Sequence, residues 1–317
     1  MRLILSVTVP IYLLIFLGWA AVKGGLFQKA EMRVLGRFVV AFCLPALVFN
    51  ALSQRSLGEV LHPAYLLAYA GGSALLQWGM LLWQHRVRRQ PLDAAALRSL
   101  GVACSNSGFA GFPIAQQLIG PVAGVAMALN MLVENLLIIP TALALADHGQ
   151  QPQSRVFSGI IFSLKGLLRN PLILGILAGL ACALIGWKPP EPVARTIALV
   201  ATASAPLALF LIGGTLAGLE IRPGLVREVA QVVVGKLVLM PAAVFGLLWL
   251  LPPIDPLLRT AAVLFAAMPM LSVYPVLAQK YHHEEFCAAA LLVTTVISFF
   301  TISALIWLMG ETGGWLP

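Results

Sequence analysis

The sequence predicts an all-α integral membrane protein of ten transmembrane helices, arranged as two inverted five-helix repeats with broken, crossing helices 4 and 9. Three observations carry that expectation: an apolar composition, ten runs long enough to cross a bilayer, and prolines that recur at a fixed spacing between the halves. Hydrophobic residues make up 60% of the 317 residues and charged residues only 10%, with mean hydropathy +0.93. A soluble domain carries roughly 25% charged residues. The net charge of +8 sits on no basic tail that would grip a polyanion, so it bears on membrane orientation and no nucleic-acid partner is expected. Cys43, Cys104, Cys182 and Cys287 lie in apolar runs without metal-ligand spacing, and neither a metal nor a cofactor is expected.

A helix needs about 20 apolar residues to cross the hydrocarbon core. Runs of that order lie at 3–20, 34–53, 64–84, 97–119, 122–146, 171–187, 195–217, 228–251, 257–279 and 286–309. The first follows Arg2 and resembles a signal peptide, but in a chain apolar throughout it reads as the first transmembrane helix. The connections are short except around Gln150-Gln151-Pro152-Gln153. That segment divides the chain into a first repeat at 1–146, a cytoplasmic linker at 147–170 and a second repeat at 171–317. If both termini are outside, fourteen lysines and arginines fall in inner loops or adjoining helix ends and five on the outer side. The positive-inside rule therefore places both termini outside the cytoplasm. Trp19, Trp83, Trp187, Trp249 and Trp307 fall near run ends, where indole rings anchor in lipid headgroups.

The repeat shows in the prolines. Pro10 and Pro171 are 161 residues apart, as are Pro45 and Pro206, and Pro113 and Pro275 are 162 apart. Around them Pro10–Gly18 matches Pro171–Gly179, and Pro45–Phe49 matches Pro206–Phe210. Five runs per half is an odd number, so the second half enters the membrane upside down relative to the first, as in many secondary transporters.

Two runs carry sequence that a spanning helix tolerates badly. The fourth contains Ser105-Asn106-Ser107-Gly108-Phe109-Ala110-Gly111-Phe112-Pro113, and the ninth contains Met268-Pro269-Met270-Leu271-Ser272-Val273-Tyr274-Pro275. Non-helical backbone at membrane depth survives only when buried in protein or lining a cavity, and a matched pair of interruptions points to a transporter's binding site. Asn106 offers an amide, Ser105, Ser107, Ser272 and Tyr274 offer hydroxyls, Gly108 and Gly111 permit close approach, and Pro113, Pro269 and Pro275 remove backbone donors. Half-helix N-termini meeting there would favour a carboxylate. The alternative is that Gly and Pro only kink closely packed helices. Asn50 either lines the site from the second run or caps a helix end.

Glu134 and Lys236 fall within runs five and eight, where an isolated charge costs about 3 kcal/mol or more. Glu134 is a candidate proton carrier, and Lys236 attracts an anion, pairs with Glu134, or snorkels toward the inner face. Asp93, Asp147 and Asp255 stand apart, so the acidic clusters of a magnesium-dependent membrane enzyme are missing and an enzyme is not expected.

At these residues the chain resembles the auxin efflux carrier family. The resemblance runs from Gly36-Arg37-Phe38-Val39-Val40 and Leu44–Phe49 through Asn106-x-Gly108-Phe109-x-Gly111-x-Pro113 to Asn170–Leu174, Ala205–Phe210, Lys236–Pro241 and Ala267-Met268-Pro269. It implies a scaffold of helices 1, 2, 6 and 7 and a moving transport domain of helices 3–5 and 8–10, with helices 4 and 9 unwound at Pro113 and Pro275 and substrate held against Asn106. It further implies small organic anions as substrates, malonate or auxin-like acids among them, in a bacterial inner membrane, carried by a homodimer. Where the family often has an asparagine after the proline matching Pro269, this chain has Ser272 and Val273. A proton or sodium ion remains open as the driving partner. A sodium-coupled bile-acid-type symporter and a non-transporting carboxylate receptor are the rival readings.

Overall fold

The computed structural model describes residues 2–56, 58, 62–150, 159–161, 164, 166, 169–217, 226–311 and 315, and these are mostly helical with no strand among them. Lipid leaves a spanning backbone no outside partner for its N–H and C=O groups, and the helix satisfies them within itself. In chain order the helices are α1 (Arg2–Lys23), α2 (Lys29–Phe38), α3 (Leu44–Ser53), α4 (Pro63–Leu82), α5 (Leu92–Ala103), α6 (Phe112–Ile119), α7 (Val122–Val133), α8 (Ile139–Gln150), α9 (Pro171–Ile185), α10 (Glu191–Thr202), α11 (Ser204–Leu216), α12 (Val226–Val234), α13 (Met240–Leu250), α14 (Pro256–Ala266), α15 (Tyr274–Ala278) and α16 (Glu284–Glu311). Among the described residues five helices are long and apolar enough to span: Ala30–Ser53, Val122–Gln150 and Arg227–Leu250, each joined across a wide turn, Glu191–Leu216, and the single helix Glu284–Glu311. Shorter apolar helices cover Val9–Lys23, Pro171–Ile185 and Pro256–Ala266.

The runs expected at 97–119 and 257–279 are each interrupted. The first is α5, non-helical residues 104–106, a wide turn at Ser107–Gly111 and α6; the second is α14, then 267–273, then α15 and a tight turn at Gln279–Tyr281. α8 runs to Gln150, so the first four residues of the expected linker are helical. Its residues 151–158 lie outside the described residues. Where helices start, local chemistry explains the place: the Asn170 side chain accepts from Leu172 N at 3.0 Å with Pro171 following, and Asp255 accepts from Leu257 N at 2.8 Å with Pro256 following. Both are polar N-caps followed by the residue best suited to the first helical position.

Among the described residues, four of the five wide, π-type turns stand at a fixed distance from proline; the fifth, Trp83–Val87, does not. Val39–Cys43, Ser107–Gly111, Glu134–Ile138 and Gly235–Leu239 begin six residues before Pro45, Pro113, Pro140 and Pro241. Proline removes one backbone donor and its ring crowds the carbonyl a turn earlier, and widening the preceding turn relieves the clash. Such turns are frequent at functional sites. Three of these four carry Ser107, Glu134 and Lys236.

Two helix pairs form a glycine-packed seam. A Cβ on Gly18 would lie 1.9 Å from the Phe210 carbonyl oxygen, and one on Gly179 would lie 3.3 Å from that of Phe49. Gly18 and Gly179 are 161 residues apart, as are Phe49 and Phe210, so the α1–α11 contact and the α3–α9 contact occur at corresponding positions. Small residues let helix backbones approach where lipid supplies no hydrophobic drive. Away from the seam, α4 packs on α5 and α13, α5 on α8, α7 on α14, and α12 on α16.

Candidate functional site

The two interruptions touch. Asn106 N donates to the Pro269 carbonyl at 2.8 Å, and Asn106 Nδ2 donates to Ser272 Oγ at 2.6 Å. Asn106 also holds its own strand of backbone: its Oδ1 accepts from Phe109 N at 3.3 Å, and its carbonyl accepts from Ala110 N and Gly111 N. A residue with one foot in each break fixes their relative position. It is 5% exposed.

Behind Asn106 lies a buried polar network that joins five segments of the chain. Glu134 Oε1 accepts from Tyr69 Oη at 2.8 Å, Ser107 Oγ at 2.9 Å and Ser105 N at 3.1 Å. Lys236 Nζ donates to Ser105 Oγ at 2.6 Å and to the Ala266 carbonyl at 3.1 Å. Ala266 is the last residue of α14, so the ammonium sits at a helix C-terminus, the end that favours a cation. The two charges communicate through Ser105 and make no direct ion pair. Lys236 is 0% exposed and Glu134 4% exposed, so the snorkelling alternative for Lys236 does not hold.

Two cavities flank segment 109–112, and one of them reaches the crossing at Ser272. One, of about 370 Å³, is lined by Ser272, Val273, Pro275 and Phe109 together with Met32, Arg33, Gly36 and Thr215. A second, of about 430 Å³, is lined by Asn50, Leu47, Phe112, Gln116 and Pro121 with residues of α10. Arg33 and Asn50 are 17 residues apart on one nearly continuous helix, about 25 Å at 1.5 Å per residue. Segment 109–112 lies between the two.

Other expected residues take different places. Tyr274 is buried and donates to the Leu97 carbonyl at 2.9 Å, fitted against Gly101, where a Cβ would lie 2.7 Å from its hydroxyl. Its hydroxyl is committed to α5 and does not reach Asn106. Gly108 and Gly111 face packed side chains: a Cβ would meet Met131 at 2.7 Å and the Phe265 ring at 2.6 Å. Pro113 is buried in the first turn of α6, and Asn50 is with the far cavity.

Two groups were not singled out from sequence. Tyr65 and Tyr69 on α4 pair with Asn130 and Glu134 on the facing helix, at 2.9 and 2.8 Å. Both pairs have i, i+4 spacing, which puts each on one helix face, and a buried Tyr hydroxyl needs a partner; that spacing was the available signal. The second is Arg98, near the start of the fourth run, which is buried. It donates to Gln84 Oε1 at 3.0 Å, pairs with Glu228, and lies over the Phe286 ring, which ties α5 to α12 and α16.

Residues 3–307 match the family model described as membrane transport protein. The chain belongs to this family, the auxin efflux carrier family of the resemblance above. It is 30% identical over 312 residues to the "Putative malonate transporter" of Rhizobium meliloti (strain 1021), covering 96% of each chain. The "Uncharacterized transporter YfdV" of Escherichia coli (strain K12) is 22% identical over 306 residues, 94% of this chain and 95% of that one. An "Uncharacterized transporter" of Methanothermobacter thermautotrophicus is 25% identical over 300 residues, 92% of this chain and 94% of that one. This family member is a multi-pass membrane transporter and not an enzyme.

Proposed function

We propose that this transporter carries small carboxylates, malonate first among them, by alternating access at the contact between its two interrupted helices. The observation that carries the reading is the Asn106 contact with Pro269 and Ser272. Two breaks in matched runs meet, and broken helices at membrane depth serve transporters as binding sites. Cavities on either side of segment 109–112 supply the two approaches that alternating access requires. The malonate assignment rests on the name of the relative in Rhizobium meliloti and on the preference of a buried cation for an anionic cargo.

The packing supports a division of labour. α1, α2–α3, α9 and α10–α11 pack on one another through the glycine seam, and the remaining helices gather around the network of Glu134 and Lys236. This grouping fits a scaffold from spans 1, 2, 6 and 7 and a moving domain from spans 3–5 and 8–10. The corresponding seam contacts, 161 residues apart, fit an inverted repeat of five plus five, with both termini on the non-cytoplasmic side of the inner membrane. A homodimer follows from the resemblance.

Glu134 is the coupling residue in this reading. It is the one acidic side chain in the network, and two of its three donors, Ser105 N and Ser107 Oγ, belong to the first break while the third, Tyr69, is on α4, so a proton gained or lost there alters hydrogen bonds to the break directly. A proton is therefore the favoured driving ion over sodium. The test is uptake of labelled malonate and a panel of mono- and dicarboxylates into proteoliposomes, with and without a pH or sodium gradient. Saturable, pH-gradient-driven carboxylate flux is the expected result. Flux driven by sodium alone would favour the bile-acid-type symporter, and no flux of any acid by folded protein would favour a receptor.

A further inference from the structure

We infer that the cavity between Arg33, Thr215 and Ser272 holds the second carboxylate of a dianionic substrate on the Arg33 guanidinium, so that Arg33 selects dicarboxylates over monocarboxylates. This rests on the proposed reading that the crossing holds the first carboxylate. Three observations carry it. The cavity reaches the crossing, because Ser272, one of its lining residues, accepts from Asn106 at 2.6 Å. Its volume of about 370 Å³ is in the range of small-molecule sites, roughly 300–1,000 Å³. Among the described residues no Asp or Glu lines it, and its polar side chains are Arg33, Thr215 and Ser272.

Among the described residues no acid pairs with Arg33. The nearest acid in sequence, Glu31, turns its carboxylate back to Gln28 N at 2.7 Å, and the ion pairs among the described residues involve Arg98, Lys280 and His283. A guanidinium presents a planar fork that matches a carboxylate with two parallel hydrogen bonds, which an ammonium cannot do. The rest of the wall is apolar: Met32, Phe109, Leu211 and Val276 among others. An uncharged or monoanionic tail gains nothing from Arg33 there, whereas a second carboxylate finds its one cation. Charge at the far end of the substrate thereby becomes the feature that is read.

The probes are malonate and its monomethyl ester, nearly equal in size and different by one charge, in proteoliposomes at fixed ionic strength. Arg33→Gln should raise the KM for malonate by about 10- to 100-fold, the loss of one charge-assisted bidentate contact, and leave ester transport within about twofold. Arg33→Lys should fall between, because the charge remains and the fork is lost. Arg37→Gln, one turn along the same helix and outside the cavity lining, should leave the ratio of malonate to ester unchanged. An unchanged ratio in Arg33→Gln, or an equal shift in Arg37→Gln, overturns the inference while leaving the carrier reading intact. Absence of flux for both acids in the wild type would overturn both.

Discussion

The two broken helices solve one geometric problem with opposite chemistry. The first break, at 104–106, is polar: Ser105, Asn106 and Ser107 are each buried and each bonded, and Glu134 and Lys236 stand behind them. The second, at 267–273, is mostly apolar, with Met268, Met270 and Leu271 buried and only Ser272 and the Pro269 carbonyl meeting Asn106. The two breaks have thus divided the work. One break holds the hydrogen bonds and charges that can respond to a proton or an anion, and the other supplies a wall, a carbonyl and a hydroxyl. Where the backbone opens and what lines the opening are separate choices in this molecule.

The sharpest way to break that comparison is to remove one charge behind the first break. Lys236→Met leaves Glu134 buried without its bridged partner, and Glu134→Gln leaves Lys236 in the same state. Losing one member of a buried charge pair costs about 3–5 kcal/mol, so each variant should unfold at markedly lower temperature in detergent, and Glu134→Gln should also flatten the pH dependence of flux in protein that remains folded. The double variant Glu134→Gln/Lys236→Met should recover most of the stability without recovering pH-dependent transport. Full recovery of both would make the pair structural.

A second change sharpens the comparison from the side of α4. Tyr69→Phe removes a 2.8 Å hydrogen bond to the carboxylate without changing packing volume. A bond to a charged group contributes about 1.5–3 kcal/mol, and the loss should appear in thermal unfolding together with a shifted pH profile of flux. The smallest effect is expected at the second break. Tyr274→Phe loses a bond to the Leu97 carbonyl, about 1 kcal/mol for a neutral pair, with malonate affinity unchanged. A large affinity change in Tyr274→Phe would return that hydroxyl to the substrate site.

The contrast between the breaks also explains what could be read from the chain. Apolar runs near 20 residues and the polar, glycine- and proline-bearing stretches at 105–113 and 268–275 are local in sequence, and the structure interrupts both runs there. Glu134 and Lys236 stood out because charge within an apolar run is costly. Their connection through Ser105 was not legible, since it depends on which turns of three separate segments come together. What Tyr274 and Gly111 meet was not legible for a related reason: a hydroxyl or a missing Cβ looks the same in sequence whether it meets a ligand, the Leu97 carbonyl or the Phe265 ring. One signal was present and unused: Pro140 and Pro241 stand shortly after Glu134 and Lys236, as Pro113 does after Ser107, and a proline crowds the turn before it.

The central claim is that the contact between the two breaks is where a carboxylate binds. The most direct test compares labelled malonate uptake and malonate binding in wild type and Asn106→Ala, with unfolding temperature measured alongside. The expected result is that the variant stays folded and loses at least about 100-fold in uptake and affinity, because the amide that joins Ser272 to the first break is gone. Undiminished malonate affinity in folded Asn106→Ala would place the site elsewhere and contradict the account.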